Sequence, residues 1–184
     1  QIFGIQLLNK NVKDADDKNT VYAELNGGTF AARLGGVKSA VLKSSKGSVN
    51  ATFTDATAVD VTLVGPKARF VNFDGKIKIE GGDLRVGVSL AADAPDATAF
   101  KSGKEIVISG GTVKVSVPGP GKDSEAFACS NDDGTGAITI SGGTLDVVAY
   151  DDCFNADQMI TVSGGFICAR SLANDCFDSN GSMV

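Results

Sequence analysis

Three short phrases near the C-terminus could do chemistry: Glu125-Ala126-Phe127, Asp152-Cys153-Phe154 and Asp175-Cys176-Phe177. Each sets a carboxylate two residues before a phenylalanine. If the phrases stack in register, Glu125, Asp152 and Asp175 share one column, Asn155 and Asp178 share the next, and Asp157 and Asn180 another. Stacked strands lie about 4.8 Å apart, and like charges that close destabilise a ladder unless something neutralises them. Two outcomes are open. The side chains can splay into water and cap their own turns. Alternatively they hold a hard cation, because calcium takes about six to eight oxygens from carboxylates, amides and carbonyls. The residues available to it are Asp132, Asp133, Asp151, Asp152, Asp157, Asp175 and Asp178.

Other chemistries are excluded by composition. The sequence has no histidine, so neither a Ser-His-Asp or Cys-His site nor a histidine-containing zinc site can form. A lysine or arginine base beside a calcium would still allow a polysaccharide lyase, but the basic residues show no constellation. Neither GxxxxGK[ST] nor GxGxxG occurs. The net charge of −5 is unevenly spread. Residues 123–184 hold ten acidic side chains and one basic one, Arg170, whereas residues 1–122 hold twelve acidic and sixteen basic ones. Such polarity fits two differently solvated surfaces, a cation site at the acidic end, or association of unlike ends.

What must position these residues is a repeat. The phrase "AELNGGT" (23–29) returns as "IKIEGGD" (77–83), "IVISGGT" (106–112), "ITISGGT" (138–144) and "ITVSGGF" (160–166). The gap between the first two is double. "ATFTDATAVDV" (51–61) fills it, with Asp55 where the first glycine belongs and one extra residue. A second marker precedes the glycines: Phe100, Phe127, Phe154 and Phe177, with Phe70 as a looser counterpart. Alternating Ile/Val/Leu and Thr/Ser/Lys runs read as short strands with one buried face. Glycine bends between them, at a period of 22–32 residues, predict an all-β, right-handed parallel β-helix of about six coils, with the four phenylalanines stacked inside. One domain spans 1–184: a divergent N-terminal segment over 1–20, then coils over 21–184, ending mid-coil. Cys153 and Cys176 are register equivalents, close enough for a disulfide although parallel Cβ vectors make the bond tense; otherwise they, with Cys129 and Cys168, are small buried hydrophobes.

"DDCFNADQMITVSGGF" and "NDCFDSNGSMV" resemble the repeat of bacterial carbohydrate-binding-domain β-helices, D-A-[I/F]-x-[A/S]-[D/N]-G-x-[I/L]-x-I-S-G-G-T. The resemblance is clear over 97–184, loose over 21–96 and absent over 1–20. Cys153 and Cys176 depart from it, standing where the family has alanine or a hydrophobic residue. Better-known members look like pectate-lyase-type β-helices that bind calcium and polysaccharides such as cellulose and polygalacturonate. The resemblance therefore implies a secreted or cell-surface, non-catalytic carbohydrate-binding protein, calcium-dependent, with a polysaccharide as partner, anionic ones among the candidates. The low aromatic content, with no Trp and only Tyr22 and Tyr150, means that sugar contacts must be polar or metal-mediated. No basic segment followed by an apolar run opens the sequence, so a signal peptide is absent or removed. No apolar run is long enough to span a membrane, and nothing points to nucleic acid. The alternative function is a structural subunit of an extracellular filament or surface layer. Its open β-helix ends, near Ile2 to Leu8 and Phe177 to Val184, would join head to tail.

Overall fold

The computed structural model describes residues 5–7, 21–25, 27–44, 49–55, 57–88 and 94–184. Among them the regular structure is all strand. In chain order these are β1 (Ile5–Leu7), β2 (Val21–Leu25), β3 (Gly28–Leu34), β4 (Ala40–Ser44), β5 (Val49–Phe53), β6 (Thr57–Leu63), β7 (Arg69–Phe73), β8 (Ile77–Ile79) and β9 (Asp83–Val88). The order continues with β10 (Thr98–Ser102), β11 (Glu105–Ile108), β12 (Thr112–Val117), β13 (Phe127–Cys129), β14 (Ala137–Ala149), β15 (Phe154–Ala156), β16 (Met159–Ser171), β17 (Phe177–Ser179) and β18 (Ser182–Met183).

Every pairing is parallel, and partners are three strands apart in the lower coils, two in the upper. The result is a β-solenoid with three faces. Strands β1, β4, β7, β10, β13, β15 and β17 form the first face as one seven-stranded sheet. The second face runs β2, β5, β8, β11, then the first halves of β14 and β16. Strands β3, β6, β9 and β12, then the second halves of β14 and β16, make the third. In β14 and β16 the chain stays in strand through the glycine corner, so the second and third faces merge into one sheet.

The Gly-Gly phrase is that corner. Its first glycine sits directly over the carbonyl of the coil below: a Cβ on Gly110 would strike the Glu80 oxygen, and one on Gly142 the Ser109 oxygen. The second glycine takes a left-handed φ, 85° at Gly111 and 89° at Gly143, which side chains disfavour. The coil lacking the phrase behaves as its sequence predicts. Phe53 pairs Ile79 and Ala58 pairs Asp83, which puts Asp55 below Gly81 and leaves one extra residue in the corner.

Period-2 alternation turns Val59, Val61, Leu63, Leu84, Val86, Val113 and Val115 inward from the third face, and Ile77, Ile79, Ile106, Ile108, Ile138 and Ile140 from the second. The first face contributes the phenylalanine column. Phe100, Phe127, Phe154 and Phe177 are in register, with ring centroids 5.0, 5.0 and 4.9 Å apart and planes within 8°. Val71, not Phe70, occupies that register one coil lower; Phe70 meets Phe100 edge-on at 5.4 Å.

Residues 1–4 and 8–20, and with them most of the expected lower edge from Ile2 to Leu8, lie outside the described residues. Among the described residues no helix is long and apolar enough to cross a membrane.

Candidate functional site: an acidic corner

The third face turns into the first at a corner that changes sign along the stack. In its lower coils Lys38, Lys67 and Asp96 hold left-handed backbone at φ 51°, 57° and 56°. Their N–H groups donate to the carbonyls of Pro66, Pro95 and Pro120 in the next coil, at 3.0, 2.8 and 3.2 Å. Lys67 Nζ pairs with Asp96 Oδ2 at 3.2 Å. Above this point acids dominate the corner, Asp123, Glu125, Asp151, Asp152 and Asp175 against a single exposed cation, Lys122.

The phenylalanine register places Glu125, Asp152 and Asp175 in one column, as the sequence predicts. Backbone bonds lock it, the Ala126 N–H donating to the Asp152 carbonyl and the Cys153 N–H to that of Asp175, each at 3.2 Å. The side chains sort differently. Carboxylate oxygens of Glu125, Asp151 and Asp152 lie within 4.8 Å of one another. Asp175 is exposed and gives the column its backbone N–H, which donates to Asp152 Oδ1 at 3.0 Å. The Asn155 amide bridges the two buried acids, donating to Glu125 Oε1 at 2.7 Å and Asp152 Oδ2 at 3.2 Å.

Glu125 is 6% exposed and Asp152 only 2%. Burial lifts the Glu125 carboxyl to about 7; Lys101 opposes the rise, while Asp152, Asp123 and Asp151 add to it. Burial also raises Asp151 and Asp152, with Asp178 among the neighbouring acids that reinforce it. In the same turn the Ser124 hydroxyl is buried without a hydrogen-bond partner. Three crowded carboxylates match a hard cation such as calcium better than a soft metal.

The other predicted ligands do not join that cluster of oxygens. Asp132 and Asp133 are exposed on the inserted loop. Asn131 organises that loop, its Oδ1 accepting from the N–H groups of Asp133 and Thr135 at 3.0 and 3.1 Å. Asp157 is bound into the same loop, Oδ2 accepting from the Asn131 N–H at 2.7 Å. Asp178 pairs Asn155 in the adjacent column. Glu125 completes the group; its column was visible in the sequence, but its depth was not.

All four cysteines are free thiols, and Cys153 is not joined to Cys176. Each points to a carbonyl of its own coil, Cys153 Sγ to Val147 at 3.9 Å and Cys176 Sγ to Ala169 at 3.5 Å. This is the orientation that parallel Cβ vectors favour. Burial, reinforced by the Cys176 thiol, pushes Cys153 up to about 12; Cys129, also buried, rises to about 11.

A family model described as "Carbohydrate-binding domain-containing protein" matches residues 61–179. The match takes in the acidic corner and the whole phenylalanine column. No curated protein and no solved structure matches the chain.

Proposed function

The chain belongs to the family of carbohydrate-binding domain-containing proteins, and from that premise we infer a secreted or cell-surface, non-catalytic β-solenoid that grips an anionic polysaccharide with the help of calcium. The observation that carries the calcium part is the Glu125, Asp151 and Asp152 triad, with ligand atoms mutually within 4.8 Å. Fixed by stacked backbone, these carboxylates cannot all relax into water. Asn155 donates to two of them but brings no charge. A calcium ion held there would offset two of the three carboxylate charges and leave coordination positions open to a uronate carboxylate on the polymer. The role of the chain is to hold the three acids together and to keep Asp152 aimed by the Asp175 N–H.

The experiment is retention of the intact chain on polygalacturonate, in calcium and then in chelator, with Glu125→Gln/Asp152→Asn alongside. Wild type should bind in calcium and weaken markedly in chelator, and the double variant should bind in calcium no better than chelated wild type. Release of unsaturated, ultraviolet-absorbing products would instead make the protein a lyase.

The charge polarity favours a second reading, head-to-tail association into an extracellular filament or surface layer. Residues 1–122 balance to +4 and residues 123–184 to −9, from the counts of sixteen minus twelve and one minus ten. Sedimentation at rising concentration tests it: growth that added salt slows supports the reading, and a concentration-independent monomer ends it.

A further inference from the structure

We propose that the outer surface of the third face carries a second sugar-binding site, a calcium-independent cleft built around Gly87 that takes an acidic polysaccharide. It rests on the reading of the chain as a carbohydrate-binding solenoid, but at a different place and with the opposite charge.

The cleft has a volume of about 540 Å³. Two outward columns make it. One runs Arg33, Thr62, Gly87, Ser116, and its neighbour runs Asp60, Arg85, Lys114, Asp146. Three cations from three different coils thus converge on one notch, although they lie far apart in sequence.

Gly87 is the informative residue. At the corners, glycines are imposed by a left-handed φ or by a carbonyl in the way. Neither applies to Gly87. It lies inside strand β9, its φ is not left-handed, and an added Cβ would meet nothing nearer than the Ser116 carbonyl oxygen at 3.5 Å. Glycine inside a strand weakens it and often marks a place where something approaches the backbone closely. Here the missing side chain opens the floor between the hydroxyl-bearing neighbours Thr62 and Ser116.

The lining suits a sugar. Among the described residues Arg33 has no ion-pair partner. Arg85 holds Asp83 through a fork at 3.1 and 3.4 Å, and Lys114 holds Asp146 at 3.1 Å, with both cations more than 60% exposed. Exposed pairs of this kind are weak, and they can exchange partners for a ligand carboxylate. The guanidinium fork fits a uronate carboxylate in two-point contact. Asp60 and the two hydroxyls add acceptors, and vicinal sugar hydroxyls need acceptors as well as donors. A nucleic-acid backbone needs an unbroken positive stripe, whereas Asp60, Asp83 and Asp146 interrupt this one.

The test is affinity electrophoresis of the intact chain through polygalacturonate, in chelator, so that the acidic corner is silent. Arg33→Ala/Lys114→Ala removes exposed charge. Gly87→Val fills the notch, changes no charge, and adds a β-branched residue where the backbone accepts one. Wild type should keep residual, salt-sensitive retention, and each variant should lose it about tenfold or more with its melting temperature undiminished. Calcium should still strengthen binding in both variants. Unchanged retention of both variants in chelator, with wild type binding normally, overturns the cleft alone. Failure of wild type to bind with or without calcium overturns the carbohydrate reading and the cleft together. Tighter binding of a single-stranded oligonucleotide than of polygalacturonate, lost in the same variants, overturns the sugar assignment.

Discussion

Glu125 is where burial and charge conflict most directly. Its carboxyl is raised from the ordinary 4.5 to about 7 by burial first and by acidic neighbours after. The folded chain therefore keeps a proton that the unfolded chain releases. This group's contribution to stability is full below about pH 4.5 and is lost as pH rises through about 7. Asp151 and Asp152 are raised too and act in the same direction. In chelator, the melting temperature should fall between about pH 5 and pH 8. Glu125→Gln should flatten that fall and, at the alkaline end, stabilise by on the order of 3 kcal/mol. Calcium should reverse the ranking there, since ligand linkage favours the chain that retains all three carboxylates; calorimetric scans in both conditions check this. The thiols give a second expectation at this scale. Cys129 and Cys153 are buried, with thiols raised to about 11 and 12, while Cys168 is exposed. Brief alkylation of the native protein, read by mass spectrometry, should label Cys168 first and leave Cys129 and Cys153 unmodified.

Elements here take their meaning from stacking, because a residue's environment is set by the same position one coil above and below. Phe127 lies between Phe100 and Phe154, fully buried, at 5.0 Å from each ring. Phe127→Ala should cost about 3–5 kcal/mol in denaturant unfolding. Gly110→Ala drives a Cβ into the Glu80 carbonyl and should cost about 2 kcal/mol or more, whereas Gly87→Val should cost little. The same stacking explains what was legible in the sequence. The glycine and phenylalanine periods fixed the coils, and Asp55 could be placed under Gly81 from spacing alone. Backbone columns followed from the same register. Side-chain depth did not: Glu125 and Asp175 share a column, yet one is buried and the other exposed. Nor did the convergence of Arg33, Arg85 and Lys114, because cations on different coils look scattered until the strands of the third face are aligned residue by residue.

At the scale of the whole molecule the solenoid carries two surfaces of unlike charge: the acidic corner of the upper coils and the cation-lined notch of the third face. A polymer that is both hydroxylated and carboxylated can use both, through calcium at the first and directly at the second. One continuous hydrophobic core underlies the coils of both, and so fixes their separation. The most direct measurement is titration calorimetry of the intact chain with polygalacturonate, first in calcium and then in chelator. The expected result is binding in calcium, markedly weaker but persistent binding in chelator, and no unsaturated product in either. Absence of binding in calcium, or an affinity indifferent to chelation, would contradict it.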